Sequence, residues 1–150
     1  MREYPRAFYT PCDSYSLNLA ICDMAMSCFQ VKSFFGIVQR IYKLFSSSTK
    51  RWEILKNHVK YRDRKGLTLK SWLDTRWESH VSSVKAIRFQ ALQIKNAFIH
   101  LMENSDDATT VSDTQSLAKC LKFDFLVGMV IWYEILNKVN KVSKVLQKKT

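Results

Sequence analysis

From Asp13 to the C-terminus this chain has no proline, and the whole of it holds only three glycines. Both prolines, Pro5 and Pro11, fall within the first dozen residues. Proline removes a backbone donor and glycine raises the entropy of ordering, so their scarcity leaves little to interrupt a helix and favours an all-α body. The 150 residues amount to one domain's worth of chain, enough to bury about two-thirds of the surface exposed when unfolded. A 47% hydrophobic and 25% charged composition is that of an ordinary globular protein.

The apolar spacing divides this body into five or six helices. Residues 5–12, with Phe8 and Tyr9 between the two prolines, read as a short strand-like segment. Asp13 or Ser14 can cap a first helix carrying Leu17, Ala20, Ile21, Met24 and Cys28. Val31, Phe34, Phe35, Val38, Ile41, Tyr42 and Phe45 then recur at three- and four-residue steps, an amphipathic helix with Lys32, Gln39, Arg40 and Lys43 on its polar side. Ser46-Ser47-Ser48 ends it, and one of these serines or Thr49 caps a helix over roughly 50–60 with Trp52, Leu55 and Val59 inward. Residues 60–75 read as a charged loop. Val81, Val84, Ile87, Ala91, Ile94, Phe98 and Leu101 predict one helix over about 76–103. The polar stretch Glu103 to Asp113 reads as a second loop. A long helical region from about Ser112 to Gln147 follows, bent near Lys122–Asp124, with Leu126, Val130, Tyr133, Leu136, Val139, Val142 and Leu146 inward.

Charge narrows the class of partner. Lys+Arg number 24 against 13 Asp+Glu, a net charge of +11 that favours polyanions such as DNA. The excess is densest between residues 50 and 70, where Lys50, Arg51, Lys56, Lys60, Arg62, Arg64, Lys65 and Lys70 face only Glu53 and Asp63. Phosphate contact or a nuclear import signal suits that run, and so does a plain solvated loop. Lys138, Lys141, Lys144 and Lys148 line one face of the last helix, which solvation also explains.

Other chemistries find little support. Cys12, Cys22, Cys28 and Cys120 form no Cys-x-x-Cys pair and read as reduced, mostly buried thiols of an intracellular protein. No secretory signal is expected, because Met1-Arg-Glu-Tyr-Pro-Arg is polar and no suitable apolar run follows. The apolar run Phe123 to Leu136 is interrupted by Asp124 and Glu134 and is too short to cross a bilayer. His58, His80 and His100 lack a second ligand at zinc spacing, and no phosphate-binding glycine loop or nucleophilic triad is suggested. No cofactor, metal or small-molecule substrate is implied.

Several segments, taken in order, carry a resemblance. Pro5-Arg-Ala-Phe-Tyr-Thr-Pro-Cys12 and Ser16-Leu-Asn-Leu-Ala-Ile-Cys-Asp23 come first, then the stretch from Ser33 to Trp52. Asp74-Thr-Arg-Trp-Glu-Ser79 and Phe125-Leu-Val-Gly-Met-Val-Ile-Trp-Tyr-Glu-Ile-Leu136 complete the set. Together they resemble hAT-superfamily DNA transposases, in the branch of zinc-finger MYM-type and TTF-type genes derived from them. The resemblance covers nearly the whole chain and implies the helical insertion domain of an RNase-H-like transposase, with residues 1–12 a remnant of the core edge and 13–150 the helical domain.

The resemblance also implies what is absent. Such transposases cut DNA with two metal ions held by two Asp and one Glu. The family places both aspartates before the segment matching residues 5–12 and the glutamate after the insertion, so no enzymatic activity is expected. Cys12-Asp-Ser-Tyr15 matches a Cys-x-x-His element with tyrosine in place of histidine; packing is the simpler role for both residues. Arg76 and Trp77 match a pair lying near the transposon end, where a tryptophan stacks on a flipped base; without the core that presents DNA, a packed tryptophan and a solvated arginine are the simpler reading.

The candidate nucleic-acid contacts are therefore Arg76, Trp77, Lys50, Arg51, Lys60, Arg62, Arg64 and Lys65. The function expected is a catalytically inactive, transposase-derived nuclear fragment touching DNA through its basic surface. Two alternatives stand beside it: a helical module that binds a protein or itself, and a decayed reading frame with no selected role.

Overall fold

In the computed structural model, residues 13–60, 68–71 and 77–148 are described. Six α-helices follow in order: α1 (Asp13–Ser27), α2 (Phe29–Ser46), α3 (Thr49–Lys60), α4 (Trp77–Asn104), α5 (Ala108–Cys120) and α6 (Phe123–Lys148). No strand occurs among the described residues, and the fold is an all-α bundle. No described helix is long and apolar enough to cross a membrane. The strand-like reading of residues 5–12, and the division of the chain at residue 12, lie outside the described residues.

α4 is the axis of the bundle, packing against α6, α3 and α5. Its stripe runs as the spacing dictates: Val84, Ile87, Ile94, Phe98 and Leu101 are buried, with Val81 and Ala91 half-buried. The helix is not uniform, because Gln90 leaves helical geometry at φ −122°, ψ 19°. α2 buries Phe34, Phe35, Val38, Ile41, Leu44 and Phe45. At the centre Phe45 and Phe98 stack with ring centroids 5.8 Å apart and planes 13° from parallel. Fully burying such a side chain stabilises by about 1.5–3 kcal/mol, so this layer supplies much of the net stability.

The ends of the helices follow local hydrogen bonding. Ser47 N–H donates to the Lys43 carbonyl and closes α2, and Trp52 N–H donates to Ser48 and opens α3. Leu69 is buried, and the Ser83 hydroxyl donates to the Lys70 carbonyl at 2.7 Å. This pins the chain entering α4 against that helix.

Three expectations need correction. The acidic stretch around Asp106 and Asp107 is not a loop reaching Asp113, because Asp107 caps α5 from outside. Its carboxylate accepts from Thr109 N–H at 3.1 Å and Thr110 N–H at 3.2 Å, satisfying donors that a helix start leaves open. The region after Ser112 is also two helices rather than one bent helix: Leu121 turns to ψ 52° and ends α5, and α6 begins at Phe123.

The face of α6 differs as well. Phe125, Met129, Leu136 and Ser143 are buried, while Leu126, Val130 and Val142 point outward. Leu136 was expected inward and is fully buried; Tyr133, Val139 and Leu146 are half-buried.

Candidate interaction surface

The outer face of α6 follows from its composition. Between Phe123 and Leu136 the charged residues are Asp124 and Glu134 alone, so this half of the helix is apolar nearly all round. Phe125, Met129 and Leu136 are buried where α6 packs against α4, α1 and α2. Phe123, Leu126, Val127, Val130, Ile131 and Ile135 are left in solvent. Phe123 keeps 76% of its surface exposed, Val130 46% and Ile131 51%. A helix apolar on all sides is a helix made to be covered, and contiguous apolar patches of this extent mark interaction sites.

Both margins of this face are built from aromatics. On one side Phe34 stands edge-on to Phe35, with centroids 5.0 Å apart, and tilts against Phe125 at 5.1 Å. Trp132 meets Phe35 at 5.1 Å. Between the starts of α2 and α6, Phe34, Phe125 and Trp132 line a mainly apolar cleft of about 350 Å³ that Phe29, Lys122 and Asp124 also border. Phe29 is 79% exposed.

On the other side Phe89 of α4 meets Tyr133 edge-to-face at 5.8 Å. The Arg88 guanidinium lies 4.5 Å from the centre of the Tyr133 ring, and its Nη1 is 3.2 Å from Glu134 Oε1. Glu134 is thus balanced within the same chain. The exposed cations of α6, Lys138, Lys141 and Lys144, lie beyond the apolar half.

The basic candidates are placed less decisively. Lys50 is exposed and Arg51 half-buried at the first turn of α3. They line a cavity of about 360 Å³ together with His100, Asn104, Asp106 and Asp107. Arg51 Nη1 donates to Thr110 Oγ1 at 3.2 Å, and that hydroxyl donates to Asp107. The hydrogen bond from Thr110 first, and then the Thr109 N–H, hold the Asp107 carboxyl below its ordinary pKa. Arg51 therefore ties α3 to the capped start of α5, and two carboxylates stand beside it. That setting suits phosphate poorly.

Lys60 ends α3 and Trp77 opens α4, but their side chains lie outside the described residues, as do Arg76, Arg62, Arg64 and Lys65 altogether. Of the eight candidate contacts, the structure brings together the side chains of Lys50 and Arg51.

One further pair of titratable groups closes the α3–α4 seam. His58 and His100 meet edge-to-face with centroids 5.7 Å apart. Burial, and then the charge of His100, lower the pKa of His58 from its usual 6.5. Among the described residues no three His, Cys, Asp or Glu side chains group as metal ligands would.

No protein-family model, curated protein or solved structure matches this chain. Sequence reasoning named the basic residues and missed the apolar ones, although the run from Phe123 to Leu136 carried the signal: it holds more hydrophobic residues than one buried stripe can use.

Proposed function

We propose that this protein is a non-catalytic helical docking module, derived from the insertion domain of an hAT-type transposase and acting in the nucleus, whose outer α6 face binds a protein surface. The observation that carries the docking role is the uncovered apolar half of α6, flanked by the Phe29 cleft on one side and the Arg88–Tyr133–Glu134 seam on the other. The derivation rests on the ordered resemblance of the segments between Pro5 and Leu136 to that superfamily. In this reading the chain contributes a shape and a surface, and no bond is made or broken on it.

A photo-crosslinking residue at Val130 tests the role, with the exposed Lys95 of α4 as control position. In cells, the Val130 probe is expected to form a protein adduct that the Lys95 probe does not. Equal labelling at the two positions, or none at Val130, removes the reading.

A second reading, contact with DNA, is favoured by the net charge of +11 and by the exposed Lys138, Lys141 and Lys144 on α6. It requires retention of DNA in a gel that weakens steeply with added salt, since the affinity would come from counterion release. Binding that is absent, or flat across salt, removes it.

A further inference from the structure

We propose that the occupant of the α6 face is a second copy of this chain, paired α6 to α6 in antiparallel two-fold fashion over the segment Phe123–Ile135. The inference rests on the docking role above and adds the identity of the partner.

Three observations select a second copy. The first is self-complementarity. A two-fold interface sets one patch against itself, so the patch must contain both its protrusions and its recesses. This one does: Phe29 and Phe123 project at 79% and 76% exposure beside the apolar cleft between Phe34 and Trp132.

The second is area. Phe29 and the six outward residues from Phe123 to Ile135 leave on the order of 600 Å² of apolar side chain in water per copy. Stable interfaces cover about 800 Å² per partner, which this patch reaches once its polar rim is added.

The third is charge. Between Phe123 and Ile135 the outward face presents no lysine or arginine, and of its two carboxylates Glu134 is held by Arg88 of the same chain while Asp124 stands exposed at the N-terminal edge, two positions after the exposed Lys122. A partner steered by opposite charge would find charge to pair with only at that edge. A face whose middle is likewise free of charge fits it, and the twin face is one. Antiparallel overlap of the apolar halves also sends the Lys138, Lys141 and Lys144 rows out at opposite ends, whereas parallel pairing would set them side by side.

The opposing force is repulsion between two copies of charge +11. It is screened within about 8 Å at physiological salt, and it gives the pairing a signature. Added salt should strengthen this association, whereas a charge-steered complex weakens with salt.

Sedimentation equilibrium of the whole chain decides the matter. The expected result is a reversible species of twice the 17.6 kDa chain mass, tightened by salt. Val130→Glu, which buries a carboxylate in the interface, is expected to raise Kd by more than about tenfold while helicity by circular dichroism stays unchanged. A folded monomer throughout, or a dimer that survives Val130→Glu with its salt response intact, overturns the pairing. The dye 8-anilinonaphthalene-1-sulfonate separates the two levels of the argument. A monomer that binds the dye at a site removed by Val130→Glu loses the second copy but keeps the docking face; a monomer that does not bind it loses both.

Discussion

The ring of Phe34 lies so close to Gly128 that a methyl group on that glycine would stand 3.3 Å from Phe34 Cδ2. This is how α6 approaches α2 at the edge of the apolar cleft. The other described glycine, Gly36, has nothing within 4 Å of such a methyl. Both sit inside helices, where alanine is favoured over glycine by about 1 kcal/mol. Gly36→Ala is therefore expected to stabilise by about 0.5–1 kcal/mol. Gly128→Ala should gain little, because the Phe34 ring must move, and Gly128→Leu should cost about 1–3 kcal/mol. Urea denaturation midpoints at constant slope measure all three.

The stacked rings of Phe45 and Phe98, both fully buried, are the least replaceable contact in the core. Phe98→Ala should cost about 3–5 kcal/mol through lost burial and the cavity left behind. A cycle with Phe45→Ala should show coupling of about 0.5–1.5 kcal/mol from the ring pair itself. Strict additivity of the two substitutions in chemical denaturation would contradict the stacking.

His58 makes stability depend on pH in a definite direction. Its pKa is lower in the folded chain than the usual 6.5, so below that value the unfolded chain binds more protons than the folded one. Stability then rises with pH across that interval. The contribution is complete above about pH 6.5 and is lost as the pH falls below it. Thermal melts across this range should show the fall, and His58→Gln should flatten it. An unchanged slope in the variant would assign the effect to another group.

Arg51 is expected to matter for stability before it matters for binding. Its hydrogen bond to Thr110 joins α3 to the Asp107-capped start of α5. Arg51→Ala and Asp107→Ala should each lower Tm by a few degrees, while Lys50→Ala should leave it nearly unchanged. A surface arginine reserved for phosphate would give the reverse pattern: Tm untouched and DNA retention reduced.

The fold was legible where one helix face meets the core and the other meets water. Phe34, Phe35, Val38, Ile41 and Phe45 on α2, and Val84, Ile87, Ile94, Phe98 and Leu101 on α4, are buried in the register their spacing implies. α6 defeats the same logic. With apolar residues on all sides, several stripes fit equally, and the one through Leu126, Val130 and Val142 faces solvent instead of the core.

The break at Leu121 had no glycine or proline to announce it. The start of α5 was hidden because Asp107 and the Thr109–Thr110 pair read as loop residues until the cap is seen. Of the candidate site, Lys50 and Arg51 do stand together, yet a side-chain bond across 59 positions to Thr110 has no sequence signature. The apolar face was visible in composition, but its direction depended on which neighbours α6 meets.

The most direct test is hydroxyl-radical footprinting of Phe29 and Phe123, 79% and 76% exposed in the single chain, with Tyr15 of α1 as an internal reference. If the outer face of α6 is covered in the working protein, both phenylalanines should oxidise several-fold more slowly in the native chain than in Val130→Glu, with Tyr15 unchanged. Equal oxidation of Phe29 and Phe123 in the two proteins would mean that the face stands open to water and that the account is wrong.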